Sequence, residues 1–278
     1  MDSVENDQPF QSVVHPTDFS LADEVALAHA IRLSVAARSA LHILHVEDER
    51  AARDWARFPD VAELLKRWKL LAPGAPPEAT EAQLGVKLFK ASMKSEDVVG
   101  AISSYAELHH CDFLVLMTHE SSWMRRIFRA SLAEATARHV HAPALFLRED
   151  EAGFVKLNTG DIRINRVFMP VAADVSPMHA WGVGSKFVRS LAPLAEFQLI
   201  HVGETLPTFG NLLPHIELKR GPVVETILEV AEDLRPDLIV MATDGHHEIF
   251  DEVRGSTTEQ VLRRAPCPVL AVPTKQRD

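Results

Sequence analysis

A chain of 278 residues is long enough for one large domain or for two of ordinary size. Its 46% hydrophobic and 24% charged residues are typical of a globular protein with a buried core and exclude a disordered or fibrous chain. The formal net charge of -10 repels phosphate at long range, which argues against nucleic acid and anionic membranes as partners. Any anion that this protein binds must therefore be captured locally.

The amino terminus and the cysteines bear on location. The first ten residues are acidic where a secretory signal would carry positive charge and an apolar run, and no later apolar stretch approaches membrane-spanning length. We therefore expect a cytoplasmic protein with no membrane partner. Cys111 and Cys267 are the only cysteines and lack C-x-x-C spacing, which favours two buried thiols over a disulfide.

From residue 13 onward, short apolar runs alternate with amphipathic segments. The pattern predicts strands at 13–17, 41–46, 84–90, 112–117 and 143–148, and helices at 21–37, 50–71, 95–108 and 131–139. Strands connected through helices form a parallel sheet with helices on its faces, because the crossovers are right-handed. Ligands of such sheets lie at the carboxyl ends of the strands.

The second half of the chain repeats the first. CDFLVLMT from Cys111 matches PDLIVMAT from Pro236 at an offset of 125, and VVHPTDFS from Val13 matches VFMPVAAD from Val167 at 154. LHILHV matches FQLIHV at 156, which places His45 over His201 and suggests a shared structural role. The drop in offset means that the second copy lacks about 31 residues, and with them one helix, after its second strand.

The polar, glycine-containing stretch Glu149 to Arg163 separates the copies and predicts a domain boundary. We therefore expect two tandem α/β domains, each an open parallel sheet, at residues 10–149 and 163–274. The strands predicted last in each copy, Ala142–Arg148 and Pro268–Pro273, are available to join the two domains.

A loop in the second copy has the features of a phosphate cradle. Gly245 and Gly255 stand nine residues apart and are followed by Ser256 and Thr257 at a predicted helix start. Glycines let the backbone approach a phosphate, and the free amides and helix dipole meet its charge. The alternative is structural: Ser256-x-x-Glu259 is a capping box, which by itself explains a serine at that position.

This loop resembles that of ATP-binding universal stress proteins, which read G-x-x-G, nine residues, then G-S or G-T, with a final strand often written APCPVL. Ala242-Thr-Asp-Gly245, Gly255-Ser256 and Ala265-Pro-Cys-Pro-Val-Leu270 match two of the three glycines and the whole tail. The resemblance implies an adenine nucleotide alpha hydrolase-like fold and ATP or AMP, with Mg²⁺, as ligand. The implied nucleotide-binding residues are Pro170, Val171, Val202, Ala242, Gly245, Gly255, Ser256 and Thr257.

The first copy departs from the family pattern at other positions. It keeps the family's P-x-D at Pro16-Thr17-Asp18, but its loop has Glu120 and Ala130 where glycines are expected. The resemblance implies a remnant site that comprises Pro16, Thr17, Asp18, Val46 and Ser131. Two alternatives remain open: Asp18 is a loop residue before a Ser20 helix cap, and Arg125, Arg126 and Arg129 either hold an anion or form a solvated face.

No catalytic constellation or metal motif is found in the sequence. His109, His110 and Cys111 are adjacent and do not readily converge on one tetrahedral ion, and no nucleophile elbow or Ser-His-Asp pattern can be assembled. We expect a stress-response binding or regulatory protein rather than an enzyme. The alternatives are a weak ATPase and a structural module that binds a small molecule other than a nucleotide. Family members often dimerise through their last strands, so the resemblance implies an intrachain pseudo-dimer, with a homodimer as a further option.

Overall fold

The architecture comes from a computed structural model that describes residues 8–21, 23–47, 55, 58–118, 142–173, 177–207, 214–243 and 256–274. Several predicted features lie outside these residues: the helix at 131–139, Glu120, the arginine run at 125–129, Ser131, Gly245 and Gly255. Within the described ranges, no helix combines the length and apolar character that a bilayer span requires.

The first half of the chain alternates strands and helices. Its elements are β1 Ser12–Thr17, α1 Asp23–Ala37, β2 Ala40–Glu47, α2 Val61–Arg67, α3 Ala79–Leu84, β3 Leu88–Lys94, α4 Val98–Leu108, β4 Phe113–Thr118 and β5 Ala144–Arg148. Carboxylates cap two of the helices: Asp60 accepts the Ala62 N–H at 2.8 Å, and Asp97 accepts the Gly100 N–H at 3.0 Å. Strands β1, β2 and β4 are almost wholly buried, as parallel strands covered on both faces must be.

The second half repeats this order in a shorter form. Its elements are β6 Arg166–Pro170, α5 Pro177–Leu191, β7 Glu196–Val202, β8 Ile216–Lys219, α6 Val223–Leu234, β9 Leu238–Thr243, α7 Thr257–Arg264 and β10 Val269–Pro273. The described residues between β7 and β8 contain no helix, whereas α2 and α3 occupy the equivalent connection of the first half. The predicted shortening of the second domain is confirmed.

The ten strands found in the described residues belong to one sheet in the order β3-β2-β1-β4-β5-β10-β9-β6-β7-β8. Neighbours pair in parallel except at the centre, where β5 and β10 run antiparallel with Val269 opposite Phe146 and Leu270 opposite Leu145. The predicted pairing of the two last strands is therefore confirmed, as is the class of two tandem open parallel-sheet domains. The pairing makes one chain a pseudo-dimer.

Each face of the sheet is covered by a core that both domains share. On one face, Phe113 of β4 stacks on Phe187 of α5 with ring centroids 5.4 Å apart, and Phe10 packs on Phe113 at 4.5 Å. On the other face, Phe146 of β5 lies in the same apolar cluster as Val261 of α7. Because each apolar cluster contains residues of both domains, the two domains bury apolar surface against each other.

The third strand of the first domain is not where the sequence analysis predicted it. It spans Leu88–Lys94 rather than 84–90, and residues 79–84 form the helix α3. The segment LFKASMK is largely exposed at the sheet edge and carries Lys90 and Lys94, which protect an edge strand from further pairing. Its mixed polarity lacks the buried apolar run on which the prediction relied. The predicted helix at 50–71 was also too long: its described helical part is α2, at 61–67.

The connection between the domains, which the sequence analysis identified only as a polar domain boundary, is packed. Phe154, Val155 and Ile164 are buried, and Val155 bridges to Ile162 in a small antiparallel hairpin. His29 of α1 accepts the N–H groups of Phe154 and Val155 at 3.0 and 3.1 Å. The connection is thereby fixed to the first domain.

Candidate functional site

The predicted nucleotide-binding residues that the structure describes lie at the carboxyl edge of the second domain. β6 ends at Pro170 with Val171 next, β7 ends at Val202, and β9 ends one residue beyond Ala242. α7 begins at Thr257 with Ser256 as its N-cap. Strands β6 and β9 are neighbours although β6 connects in sequence to β7 on its other side. This is a topological switch point, where open α/β sheets form a crevice for ligands.

The start of α7 is fixed by two hydrogen bonds. The Ser256 hydroxyl accepts the Glu259 N–H at 3.1 Å, and the Thr258 hydroxyl donates to the Ala242 carbonyl at 3.4 Å. The structural alternative for Ser256, helix capping, is thus observed. Intrahelical bonds cannot serve the N–H groups of Thr257 and Thr258, because a helix leaves its first amides without partners. These amides suit a phosphate, so capping and anion binding are compatible.

A pair of equivalent histidines supports the strand ends in both domains. His201 Nδ1 lies 2.8 Å from the Val171 carbonyl, and His45 Nδ1 lies 2.7 Å from the Thr17 carbonyl. Each imidazole therefore donates to the residue at or just after the end of the neighbouring first strand, and the shared role that the repeat suggested is confirmed. The bond sets the path of the backbone as it leaves β1 or β6.

Several residues at the edge of the second domain are accessible. Ala172, Ala173, Ser256 and Thr257 are exposed, and Pro170, Val202 and Ala242 are half-buried. Gly203 follows Val202, and a Cβ at this position would lie 2.5 Å from His201 Nε2. Small side chains therefore keep this edge open among the residues that the structure describes.

The equivalent residues of the first domain are covered. Pro16, Thr17 and Val46 are buried. Asp18 Oδ1 accepts the Ser20 N–H at 2.9 Å, which makes Asp18 part of a local turn before α1. This turn is the structural role that the sequence analysis gave as one alternative for Asp18.

An aromatic plug, which we define as Phe19, Trp55 and Phe58, covers the edge of the first domain. The Phe19 ring lies 5.0 Å from that of Trp55 and 5.2 Å from that of Phe58, and it packs edge-on against His45 at 4.6 Å. Lys90 Nζ lies 5.9 Å from the Trp55 ring, and Trp55 Nε1 donates to Ser92 at 3.0 Å. Phe19 has a φ of 62°, an unfavourable conformation for an aromatic residue that this packing maintains.

The sequence analysis did not identify this plug, but a signal for it was present. The offset of 154 that aligns Val13 with Val167 also places Phe19 over Ala173, so the ring has no counterpart in the second domain. Trp55 and Phe58 belong to the segment that the second copy lacks. The two domains therefore differ at the carboxyl edge of the sheet.

Beside the plug lies a small pocket of about 70 Å³, lined in part by Thr17, Phe19, Asp23 and Phe58. His15 Nε2 lies 3.6 Å from Asp23 Oδ2, and both residues are buried. Burial by itself lowers the pKa of His15, but Asp23, the Val115 carbonyl and Asp18 together raise the pKa overall. Because ligand pockets usually measure about 300–1,000 Å³, this one has room for water molecules and not for a nucleotide.

The cysteines and histidines form no metal centre within the described residues, where no group of three or more His, Cys, Asp or Glu side chains is arranged to hold an ion. Cys111 is buried and accepts a hydrogen bond from the Ser12 hydroxyl at 3.5 Å, and burial raises the pKa of its thiol to about 11. Cys267 is also buried, and its pKa is raised by the same cause. Both are structural thiols.

Comparison with known proteins agrees with the repeat. The family model described as the universal stress protein family matches residues 9–148 and again residues 171–273. Universal stress protein A homolog 1 of Coxiella burnetii is 45% identical over 56 residues, which cover 20% of this chain and 38% of that protein. A universal stress protein of Methanocaldococcus jannaschii is 38% identical over 64 residues, or 23% of this chain and 38% of that protein. The matched segments thus span well under half of either relative.

Solved structures share the whole architecture. A universal stress protein from Archaeoglobus fulgidus superposes with a TM-score of 0.61 at 18% identity, covering 96% of this chain and 97% of that one. A putative universal stress protein from Pseudomonas aeruginosa gives 0.61 at 14% identity, with 96% and 94% covered. At these identities the likeness establishes the fold alone. With both halves matched by the family model, the chain belongs to the universal stress protein family.

Proposed function

We propose that the second domain binds an adenine nucleotide, ATP or AMP, at the carboxyl edge of β6, β7 and β9. The observation that carries this proposal is the position of α7: its first turn stands beside the end of β9, joined through Thr258 and Ala242, at the switch point of the half-sheet. The amides of Thr257 and Thr258 and the positive end of the helix dipole would face the phosphates. The Gly245 and Gly255 pattern of the adjoining loop supports the same assignment.

The contrast between the domains supports the choice of the second one. In the first, the aromatic plug covers the strand ends, and the pocket beside it that the described residues line measures about 70 Å³. In the second, Ala173 replaces Phe19, and the neighbouring residues are small and accessible. We infer that the first domain is a scaffold and the second is the binding domain.

We propose a binding or regulatory role rather than efficient catalysis. The residues assigned to the site are Pro170, Val171, Val202, Ala242, Gly245, Gly255, Ser256 and Thr257. This set contains no carboxylate, imidazole or thiol that could act as a general base or nucleophile. If Mg²⁺ accompanies ATP, it would be held mainly by the phosphates and water, as this ion usually is.

Titration calorimetry with ATP, AMP and Mg²⁺ tests the proposal. Ser256→Asp retains a capping oxygen but adds negative charge beside the phosphates, whereas Ser256→Ala removes the cap without adding charge. We expect Ser256→Asp to weaken nucleotide binding by at least about tenfold with little loss of stability. Wild-type protein that binds neither nucleotide at millimolar concentration would refute the proposal. Steady ATP hydrolysis that Ser256→Asp abolishes would favour the weak-ATPase alternative.

A further inference from the structure

One side chain of the first domain contacts α7, the helix whose first turn belongs to the proposed site. Arg148, the last residue of β5, donates through Nη1 to the carbonyls of Arg263 at 3.2 Å and Ala265 at 3.1 Å. These carbonyls lie at the carboxyl end of α7. The last carbonyls of a helix have no intrahelical partner and carry the negative end of the dipole, so a guanidinium suits them.

The Arg148 guanidinium is itself held in place from its other side. Nε and Nη2 donate to the two oxygens of Asp150 at 3.0 and 2.6 Å, and Glu151 Oε1 lies 3.5 Å from Nε. A planar guanidinium that meets a carboxylate through two bonds has one preferred orientation. Nη1 is therefore directed at the end of α7, and the contact has a defined geometry.

The opposite end of α7 is the proposed phosphate-binding turn. α7 spans only Thr257–Arg264, so about 12 Å of helix separates its two ends. A helix of this length is not stable by itself; Val261 and Leu262 pack it into the core, and contacts at its two ends fix its position further. The Thr258–Ala242 bond holds the first turn and Arg148 holds the last.

We propose that Arg148 is a positioning residue through which the first domain sets α7, and hence the amides of Thr257 and Thr258, for nucleotide binding in the second domain. This inference rests on the function proposed above. The offset of 125 places Pro273 over Arg148, and proline has no side-chain donor, so this position of the second domain cannot make the equivalent contact. The positioning role of Arg148 gives the first domain, whose own edge is plugged, a role in the binding of a ligand elsewhere.

Hydrogen exchange and titration calorimetry on the full chain test the two parts separately. Arg148→Met keeps the aliphatic stem but removes every donor, and Arg148→Lys keeps the charge without the two-pronged geometry. The control is Arg189→Met, at an exposed arginine in the last turn of α5. In Arg148→Met we expect the amides of 261–264 to exchange about tenfold faster and the ATP dissociation constant to rise about tenfold, with smaller effects in Arg148→Lys and none in the control.

The outcomes separate this inference from the proposed function. Unchanged exchange in α7 of both Arg148 variants would overturn the inference, whether or not ATP binds. Faster exchange with an unchanged ATP dissociation constant would also overturn it, because the contact would then hold the helix without affecting the site. Absence of ATP binding in the wild type would refute the proposed function, and the positioning role with it, while exchange would still measure the contact between the domains.

Discussion

The Phe154 N–H donates to His29 Nε2 across 3.0 Å and joins the domain connection to α1. His29 Nε2 also accepts the Val155 N–H, while Nδ1 lies 2.7 Å from the Val25 carbonyl. The ring must therefore carry its proton on Nδ1 and remain neutral. Burial lowers the pKa of His29 to about 4.

This arrangement predicts acid destabilisation with a defined pH window. A histidine whose folded pKa lies below its ordinary 6.5 stabilises the fold above that value, and the contribution is lost as the pH falls towards 4. We expect about 3 kcal/mol of unfolding free energy to disappear between pH 6.5 and 4, as measured by urea denaturation. In His29→Gln, which does not titrate, this part of the pH dependence should vanish; an unchanged profile would contradict the assignment.

For Glu151 we expect stability to depend on pH in the opposite direction. Its burial, only partly offset by Arg148, raises its pKa to about 7, and neither carboxylate oxygen accepts a hydrogen bond within the described residues. The fold therefore prefers the protonated acid, and stability is lost as the pH rises from 4.5 through 7. Glu151→Gln should raise the unfolding free energy at pH 8 by about 1 kcal/mol after allowance for solvent screening, and change little at pH 4.5. The exposed Glu149→Gln is the control, and an equal gain there would disprove the role of Glu151.

Gly160 predicts a steric penalty. Its φ is 68°, and a Cβ there would lie 2.6 Å from the Trp68 ring, whose Nε1 donates to the Leu157 carbonyl at 2.8 Å. Gly74 offers a matched control, since its φ is 81° but nothing lies within 4 Å of the added carbon. In thermal unfolding, Gly74→Ala should be about 1–2 kcal/mol less stable than the wild type. Gly160→Ala should be about 1–2 kcal/mol less stable than Gly74→Ala. Equal losses would show that Trp68 does not pack on Gly160.

The difference between Phe19 and Ala173 predicts that a plug can be transferred. Ala173→Phe places a ring at the open edge of the second domain, where it should weaken ATP binding by at least about tenfold in titration calorimetry. Because Ala173 is exposed, stability should change by less than about 0.5 kcal/mol. Ala82→Phe, at an exposed site on α3, is the control. If Ala173→Phe bound ATP as tightly as the wild type, the edge of β6 would not be part of the nucleotide site.

The fold could be predicted from sequence wherever burial leaves a continuous apolar run. Strands such as Phe113–Thr118 and Leu238–Thr243 are apolar on both faces, and their repetition revealed the second domain. The edge strand Leu88–Lys94 has no such run, and its predicted position was wrong. Phe154 and Val155 gave no periodic signal, because they are buried through a hairpin rather than through a strand or helix.

The candidate site was less predictable, because it depends on contacts between distant residues. The family resemblance implied Pro170, Val202 and Ser256 in advance, at strand ends and a helix start. The plug depends on the unusual backbone at Phe19 and on rings 36 and more residues away in sequence, which no local pattern reveals. Arg148 was assigned only to a strand, and its reach to Ala265 appears only once β5 and β10 are paired.

A crystal structure of the protein grown with ATP and Mg²⁺ tests the central claim most directly. It should contain one nucleotide per chain, at the carboxyl edge of β6 and β9, with phosphate oxygens about 2.8–3.2 Å from the amides of Thr257 and Thr258. The edge of the first domain should remain filled by Phe19, Trp55 and Phe58. A nucleotide bound at the end of β1, or bound to the second domain without contact to the first turn of α7, would contradict the proposal.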